Sequence, residues 1–397
     1  MSRASIIVGI DMGTHTTRVA VSTLPESGKS QLKGVGVAPT RGVRHGYVIN
    51  RENAITSLRA AIADAQKNTG VEITEAVLSV GGISLRAEHI ATTVEVAHHS
   101  GEVTEGDVVR ALDRCEDILL SRHTNIRVIH RIPLKYKIDG KLSLGKPVGL
   151  SGKKLSLKTF FITAFENHVE DLIDVAHEAG ISVIDVAAAP LVASMPVLSY
   201  NDRKAGAALV DIGAETLSIV VFEDNLPISL EVFPVGSTDI TNDIALGFQI
   251  GLDDAEALKK GTLQPSRARK FAKSRVDEII SARLDDLVEL IDRHLESIKK
   301  SHLLPAGIVV TGGGAHLEMI SSVMKNSLKL PVRIAADGIM QQSKRKAFDA
   351  SWYVAYGLCL YATSDEGTVR FSRPSAFLQI MKDALGYIKN FLKQLLP

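Results

Sequence analysis

The chain has little of what would place it outside the cell, across a bilayer or on nucleic acid. It holds only two cysteines, Cys115 and Cys359, far apart and without metal-ligand spacing. They predict a reduced, cytosolic protein rather than a disulfide scaffold or a zinc site. No apolar run approaches the roughly 20 residues that a membrane-crossing helix needs, so any membrane contact is expected on the surface. Residues 1–8 reach Asp11 before an apolar signal core can form, which predicts no secretory leader. Charge of one sign is also missing. A formal net charge of +1 supplies no global pull toward nucleic acid. Neither Gly-X-Gly-X-X-Gly nor the complete Gly-X-X-X-X-Gly-Lys-Ser/Thr occurs, Gly28-Lys29-Ser30 having Thr23 where the leading glycine belongs, which excludes a Rossmann or Walker phosphate loop.

At 397 residues, 45% hydrophobic and 23% charged, the composition is that of an ordinary globular protein, too long for one core and expected to form two or more domains. Three glycine-centred loops stand out. They are Gly9-Ile10-Asp11-Met12-Gly13-Thr14-His15-Thr16-Thr17-Arg18, Leu209-Val210-Asp211-Ile212-Gly213-Ala214-Glu215-Thr216 and Val309-Val310-Thr311-Gly312-Gly313-Gly314-Ala315. Each follows a β-branched or aliphatic run that reads as a buried strand. Nucleotide phosphates require close backbone approach, free N–H donors and a carboxylate near magnesium. Asp11 is a candidate to hold magnesium or position water. Gly13, Thr14, Thr16 and Thr17 are candidates to turn donors toward β- and γ-phosphates, and Arg18 adds a forked cation. Asp211 and Gly213 repeat the arrangement from the opposite side. Gly312, Gly313 and Gly314 allow the backbone to approach adenosine or its α-phosphate, with a helix N-terminus expected behind them. Any one loop alone reads equally as an ordinary turn; the ordered set of three favours a two-lobed clamp. Glu256 and Lys259 lie three apart on one face of an expected helix, placed to hold ribose hydroxyls and the base, or to form a solvated ion pair.

Along the chain, a hairpin is expected over 6–10 and 17–22, a helix over 52–69 and a strand over 76–80. A different texture follows: a strand at 88–97, a helix over 104–121 with Thr104 as N-cap and Asp107 three residues on, and strands at 130–138 and 155–163. This block, about 83–162, reads as a small α+β insert. The larger pattern resumes with a helix over 167–179 stopped by Gly180, a strand at 183–187, a helix over 191–198 interrupted by Pro196, helical stretches over 246–260 and 267–300, a strand at 308–310 and an apolar helix over 351–362. The two Asp-X-Gly units suggest two lobes built alike.

The C-terminal residues have a distinct pattern. Phe377, Met381, Ala384, Ile388, Phe391 and Leu395 recur at steps of four and three, one helical face. Leu378, Leu385 and Leu392 widen that face, and Lys382, Lys389 and Lys393 lie opposite. Such a helix fits the plane of an anionic membrane interface; docking on the protein's own core, or a coiled coil, is the alternative. The polar stretch before it, a tether, favours the membrane. The basic run Arg267, Arg269, Lys270, Lys273 and Arg275 reads as a solvated helix face or as a dock for an acidic peptide.

With these residues in view, the chain resembles the actin-like ATPase superfamily, and within it the FtsA family of bacterial cell-division proteins. The resemblance covers nearly the whole length. Its carriers are Gly42-Val43-Arg44-His45-Gly46, Leu78-Ser79-Val80-Gly81-Gly82, Glu105-Gly106-Asp107-Val108, Arg131-Ile132-Pro133, Lys146-Pro147-Val148-Gly149-Leu150-Ser151-Gly152, the run from Pro234 to Ala245 and the run from Leu303 to Gly314. It implies an α/β fold: actin-like, two-lobed, of ribonuclease H-like repeats, with an inserted SHS2 subdomain (1C) projecting from the first lobe and a C-terminal amphipathic helix. The implied divisions are 1–82 (1A), 83–162 (1C), 163–204 (1A), 205–245 (2A), 246–302 (2B), 303–338 (2A), 339–364 (1A), a linker at 365–374 and a membrane-targeting helix at 375–397. That helix would bury Phe377, Leu378, Met381, Leu385, Ile388, Phe391, Leu392 and Leu395.

The resemblance further implies binding of ATP with Mg2+ as an assembly switch, self-association into filaments, capture of the FtsZ C-terminal tail by 2B, recruitment of later divisome proteins, and no nucleic-acid partner. The place of work would be the cytoplasmic face of the cell membrane at the division site, as a peripheral protein. One departure bears on catalysis. FtsA proteins usually follow Asp-Ile-Gly with two more glycines, two threonines and an aspartate, whereas here Ala214-Glu215-Thr216-Leu217-Ser218 follows. Fewer glycines limit backbone approach, Glu215 would repel phosphate if it faced the cleft, and Ser218 replaces a carboxylate. ATPase activity is therefore expected to be weak at best, with Asp11 and Asp211 as the groups that would serve it. Two other readings stay open: an adaptor of type IV pilus assembly like PilM, whose second loop this one also resembles, and an actin-fold sugar or acid kinase, for which no catalytic Asp is assignable.

Overall fold

A computed structural model describes residues 5–24, 30–264, 268, 270–335 and 349–364. The expected linker and C-terminal helix, with Arg267 and Arg269, lie outside the described residues. The chain forms two compact units, one of residues 1–86 and 167–365, the other centred on 87–166.

The first unit opens with an antiparallel meander, β1 (Ser5–Met12), β2 (Thr16–Leu24) and β3 (Gln31–Pro39). A short hairpin of β4 (Val43–Arg44) and β5 (Tyr47–Val48) follows. Next comes α1 (Arg51–Thr69), where the Asn50 side chain accepts the Asn53 N–H and Gly70 ends the helix in the left-handed region. Its buried positions Ala54, Leu58, Ala61 and Ala65 recur at helical spacing and pack over β3. β6 (Glu75–Val80) then joins β1 in parallel.

The inserted unit consists of β7 (Arg86–Glu95), α2 (Glu105–Arg122), β8 (Ile126–Ile138), β9 (Lys141–Ser143) and β10 (Lys154–Phe165), with sheet order β7-β10-β8-β9. The Thr104–Asp107 capping box forms as expected: each side chain accepts the other's backbone N–H. One face of the sheet buries Leu155 and Leu157 against Val108, Ala111 and Leu112 of α2. A second cluster joins Ile90, Cys115, Leu119, Val128 and Phe161.

The first unit resumes with α3 (Glu166–Glu178), β11 (Ser182–Ala188), α4 (Ala189–Ser194) and α5 (Tyr200–Ala205). Of the helix expected over 191–198 only the first part is helical, as the end of α4. α4 ends before Pro196, and α5 starts from its own capping box at Ser199 and Asp202. β12 (Ala207–Ile212), β13 (Leu217–Glu223) and β14 (Leu226–Phe233) form a second meander. After it come α6 (Ser237–Phe248), α7 (Leu252–Lys259), α8 (Lys273–Ser297), β15 (Gly307–Thr311), α9 (Ile320–Leu328), β16 (Val332–Ile334) and α10 (Tyr353–Thr363). The expected helix over 246–260 is broken, because Gln249 turns left-handed and a new helix begins after Gly251.

The two lobes of this unit share one topology. The first sheet runs β3-β2-β1-β6-β11 and the second β14-β13-β12-β15-β16, each an antiparallel meander continued by two parallel strands. Both first strands are apolar until an Asp at the penultimate position, so each core delivers a carboxylate to the same end of its sheet. Helix α10, in sequence far from β1, packs on the first sheet through Ala355 and Cys359.

Candidate functional site

Each Asp-X-Gly turn is set by its ladder. In the first, Asp11 lies opposite Arg18 and Met12 opposite Thr17. In the second, Asp211 lies opposite Ser218 and Ile212 opposite Leu217. The Gly213 N–H donates to the Thr216 carbonyl at 2.8 Å, and the first amides of α6, on Ser237 and Thr238, donate to the carbonyls of Gly213 and Ala214 at 2.9 and 2.8 Å. The second loop is thus fastened by the helix that follows its sheet.

A cleft of about 920 Å³ opens between these turns. Asp11, Gly13, Thr14, Thr16 and Arg18 line it from the first lobe, and Asp211, Gly213, Gly312, Gly313 and Gly314 from the second, with Glu256 and Lys259 at one side. All the expected nucleotide-site residues except Thr17 therefore meet in one cavity. Asp11 accepts the Ser79 hydroxyl at 2.7 Å. Burial raises its pKa, against that hydrogen bond and the Arg18 charge. Burial, then the charge of Asp11, pushes Asp211 up to about 7, with Arg18 opposing. The half-buried Asp11 and Asp211 carboxylates both feel the half-buried Arg18 guanidinium, which lies 5.6 Å from the centre of the Trp352 ring. Such a pair is under-compensated and favours a further cation.

The third loop closes on the second. Gly312 has φ 85° and ψ 176°, a region only glycine occupies readily. A Cβ there would sit 2.2 Å from Asp211 Oδ1 and 2.5 Å from the Ile212 carbonyl oxygen. Gly313 has open space at the same position. The helix expected behind the triplet is only a short 3-10 turn, Gly313–His316, and α9 begins later.

Glu256 and Lys259 do not form a solvated pair. Their 2.7 Å bridge leaves the lysine side chain 6% exposed. Lys259 also donates to the Ser237 carbonyl and to Thr241 Oγ1, at 2.9 and 2.7 Å. Burial would raise the Glu256 pKa, yet hydrogen bonds from Lys259, Thr241 and Lys260 bring it down to about 2.

One reading is corrected, and the condition attached to Glu215 is not met. Thr17 points away from the cleft: it is buried, and its hydroxyl lies 2.8 Å from that of Thr40. Strand alternation puts residues 16 and 18 on one face and 17 on the other, a signal present in the sequence. Glu215 does not face the cleft either. Its Oε2 accepts the His45 N–H at 2.8 Å, its Oε1 lies 3.7 Å from Arg44 Nε, and its carbonyl is 2.9 Å from His45 Nδ1. The turn after β4 thus holds the feared carboxylate aside. Of the basic run, Lys273 lines the cleft and Arg275 pairs with Glu278 at 2.7 Å. Ser79, Ser237 and Thr241 were missed. Only Ser79, a lone hydroxyl in an apolar strand, left a trace in the sequence.

Two repeated lobes, facing Asp-X-Gly turns and a glycine edge define the actin-like ATPase fold. Solved structures bear out the architecture: a PilM–PilN type IV pilus biogenesis complex (TM-score 0.70, 16% identity, 90% of this chain and 98% of that one) and MreB 5 of Spiroplasma citri bound to AMPPNP (0.50, 12%, 85% and 95%). At these identities they speak for the fold alone. The family model for cell division protein FtsA matches residues 208–357, and that for the SHS2 domain inserted in FtsA matches 82–163. Cell division protein FtsA of Pseudomonas aeruginosa is 27% identical over 347 residues, 83% of this chain and 82% of its own. That of Borreliella burgdorferi is 27% identical over 414 residues, covering 99% and 100%. The chain belongs to the FtsA family of cell-division proteins. Among the described residues no helix is long and apolar enough to cross a membrane.

Proposed function

We propose that this chain is an ATP-binding, actin-like division protein that self-associates at the cytoplasmic face of the cell membrane, tethers FtsZ there and gathers later divisome proteins. The observation that carries the nucleotide part is the convergence of Asp11, Asp211 and Arg18, from both lobes, on a cleft edged by Gly13, Gly213 and Gly313. The under-compensated carboxylate pair suits a hydrated Mg2+ held mainly by phosphates and water. That ion would neutralise phosphate charge. Gly13, Thr14 and Thr16 bind β- and γ-phosphate from one side and Gly213 from the other. Gly312, Gly313 and Gly314 face the α-phosphate and nucleoside, and Glu256 and Lys259 the ribose and base. Asp11 and Asp211 would orient water for whatever slow hydrolysis occurs. Ser218 occupies, opposite Asp211, the ladder position that Arg18 holds opposite Asp11, which supports a switch more than an efficient ATPase. A ligand biases assembly only by its different affinity for two states.

Subdomain 2B, residues 246–302, is the proposed dock for the acidic FtsZ tail, and the helix at 375–397 the lipid anchor. Purified wild type should retain adenine nucleotide and Asp11→Ala lose most of it; equal retention refutes the site. Full-length protein should co-sediment with anionic liposomes and a chain ending at Ser372 should not; equal sedimentation removes the anchor. ATP consumption that depends on an added sugar or small acid would favour a kinase instead.

A further inference from the structure

The inserted unit carries a charge arrangement that the nucleotide cleft does not use. All seven of its lysines fall between Lys135 and Lys158, with Asp139 the only acid in that stretch. Every one of them is exposed. Asp139 already accepts the backbone N–H groups of Lys153 and Lys154, at 3.1 and 2.9 Å. Four of the unit's five arginines differ: Arg110, Arg122, Arg127 and Arg131 each pair with carboxylates.

Strand geometry gathers the lysines. Tyr136, Ile138, Leu155 and Leu157 face α2, so alternation turns Lys135, Lys137, Lys154 and Lys158 to the opposite face. Lys135 lies directly across from Lys158, and Lys137 across from Ser156 on one side and Leu142 on the other. Like charges directly opposite on a sheet destabilise it, and this sheet holds such a pair with no carboxylate between its members.

Beside this face stands an apolar tip. Leu142 is 56% exposed and Leu144 97%, and Val148 and Leu150 are also open to solvent. The tip is not a loose loop. Leu150 and Gly149 exchange backbone hydrogen bonds with Val103, both at 2.9 Å, and the Gly152 N–H donates to Gly101 at 2.8 Å.

We propose that this lysine face and its leucine-bearing tip form a second lipid contact, docking on an anionic bilayer with the tip side chains in the headgroup region. Lysines near a surface of opposite charge, with exposed leucines beside them, are the composition that interfacial binding uses. The cations are all point charges; none is the forked guanidinium that bidentate recognition of one carboxylate or phosphate prefers. The one aromatic in the stretch, Tyr136, faces inward, so no ring is offered to a nucleic-acid base. The contact stands on the insert alone and does not depend on the C-terminal anchor.

The test uses the full chain. Cys115 and Cys359 are both buried, so Leu144→Cys takes an environment-sensitive fluorophore selectively. With vesicles of phosphatidylglycerol and phosphatidylcholine, the emission should shift to the blue. Phosphatidylcholine alone should leave it unchanged, as should the same label at Ser121→Cys on α2. Lys135→Gln/Lys137→Gln/Lys158→Gln should abolish the shift and weaken partition onto the anionic vesicles, at about fivefold per lysine at low salt, while far-UV circular dichroism stays that of wild type. An unshifted label on chain that has sedimented with the vesicles overturns the inference, as does a shift that survives the triple substitution. A shift produced by soluble poly-glutamate and not by vesicles overturns it too, in favour of an acidic peptide. Because the label reports only its own position, these outcomes are separable from success or failure of the C-terminal anchor.

Discussion

Gly312 and Gly313 are neighbours with the same side chain, and the structure assigns them different work. At Gly312 an alanine meets a backbone that only glycine occupies readily, worth about 1–3 kcal/mol. Its Cβ would stand 2.2 Å from Asp211 Oδ1 and 2.5 Å from the Ile212 carbonyl. The Ile212 carbonyl is backbone and cannot swing aside as a side chain can, so the second loop must move, at a further cost of about 1–3 kcal/mol. Gly312→Ala should therefore lower the melting temperature of nucleotide-free protein, at roughly 2–4 °C per kcal/mol. Gly313→Ala meets nothing within 4 Å and should leave that stability within about 0.5 kcal/mol. Its methyl group instead enters the cleft that the glycine edges. Nucleotide affinity should fall at least tenfold, about 1.4 kcal/mol, with the fold intact. Differential scanning calorimetry and equilibrium binding of a fluorescent ATP analogue read the two effects separately. If Gly313→Ala binds nucleotide like wild type, the glycine edge is not where the ligand lies. If Gly312→Ala melts like wild type, the contact between the second and third loops is misread.

Glu215→Ala should release the turn after β4: the His45 amide should exchange its hydrogen much faster, while Arg44, 64% exposed on its side chain, contributes little; unchanged exchange at His45 refutes the clasp. Burial lowers the His294 pKa to about 4. A depressed histidine stabilises the fold above its unfolded pKa near 6.5, and that stability is lost as pH falls toward 4. His294→Gln should flatten the stability curve across this window by roughly 2–4 kcal/mol relative to wild type, measured by urea unfolding at a series of pH values; parallel curves would show that His294 does not titrate with folding. Leu287, fully buried on α8, should cost about 2–5 kcal/mol when changed to alanine, seen as a lower urea midpoint; a shift below 1 kcal/mol would contradict the packing of α8 on the second lobe.

What the sequence by itself determined is local. Strand, Asp, tight glycine turn and returning strand follow from alternation and from Gly13 and Gly213, where the missing side chain lets the chain fold closely back on itself. The Thr104–Asp107 cap needs only residues three apart. The order of the three loops was enough to imply a clamp, and the alternation that turns Thr17 inward was legible as well. Other features required the tertiary structure. Glu215 is held out of the cleft by Arg44 and His45, 170 residues away in sequence, and spacing carries no information about such a partner. The charge of Asp11 reaches Asp211 only because the two sheets bring their ends together, and burial there, more than the residue type, pushes the Asp211 pKa up to about 7. Even the break between α6 and α7 reflects a competition that helix propensity could not decide: a left-handed turn at Gln249 allows α7 to bring Glu256 and Lys259 back against Ser237 and Thr241 at the edge of the cleft.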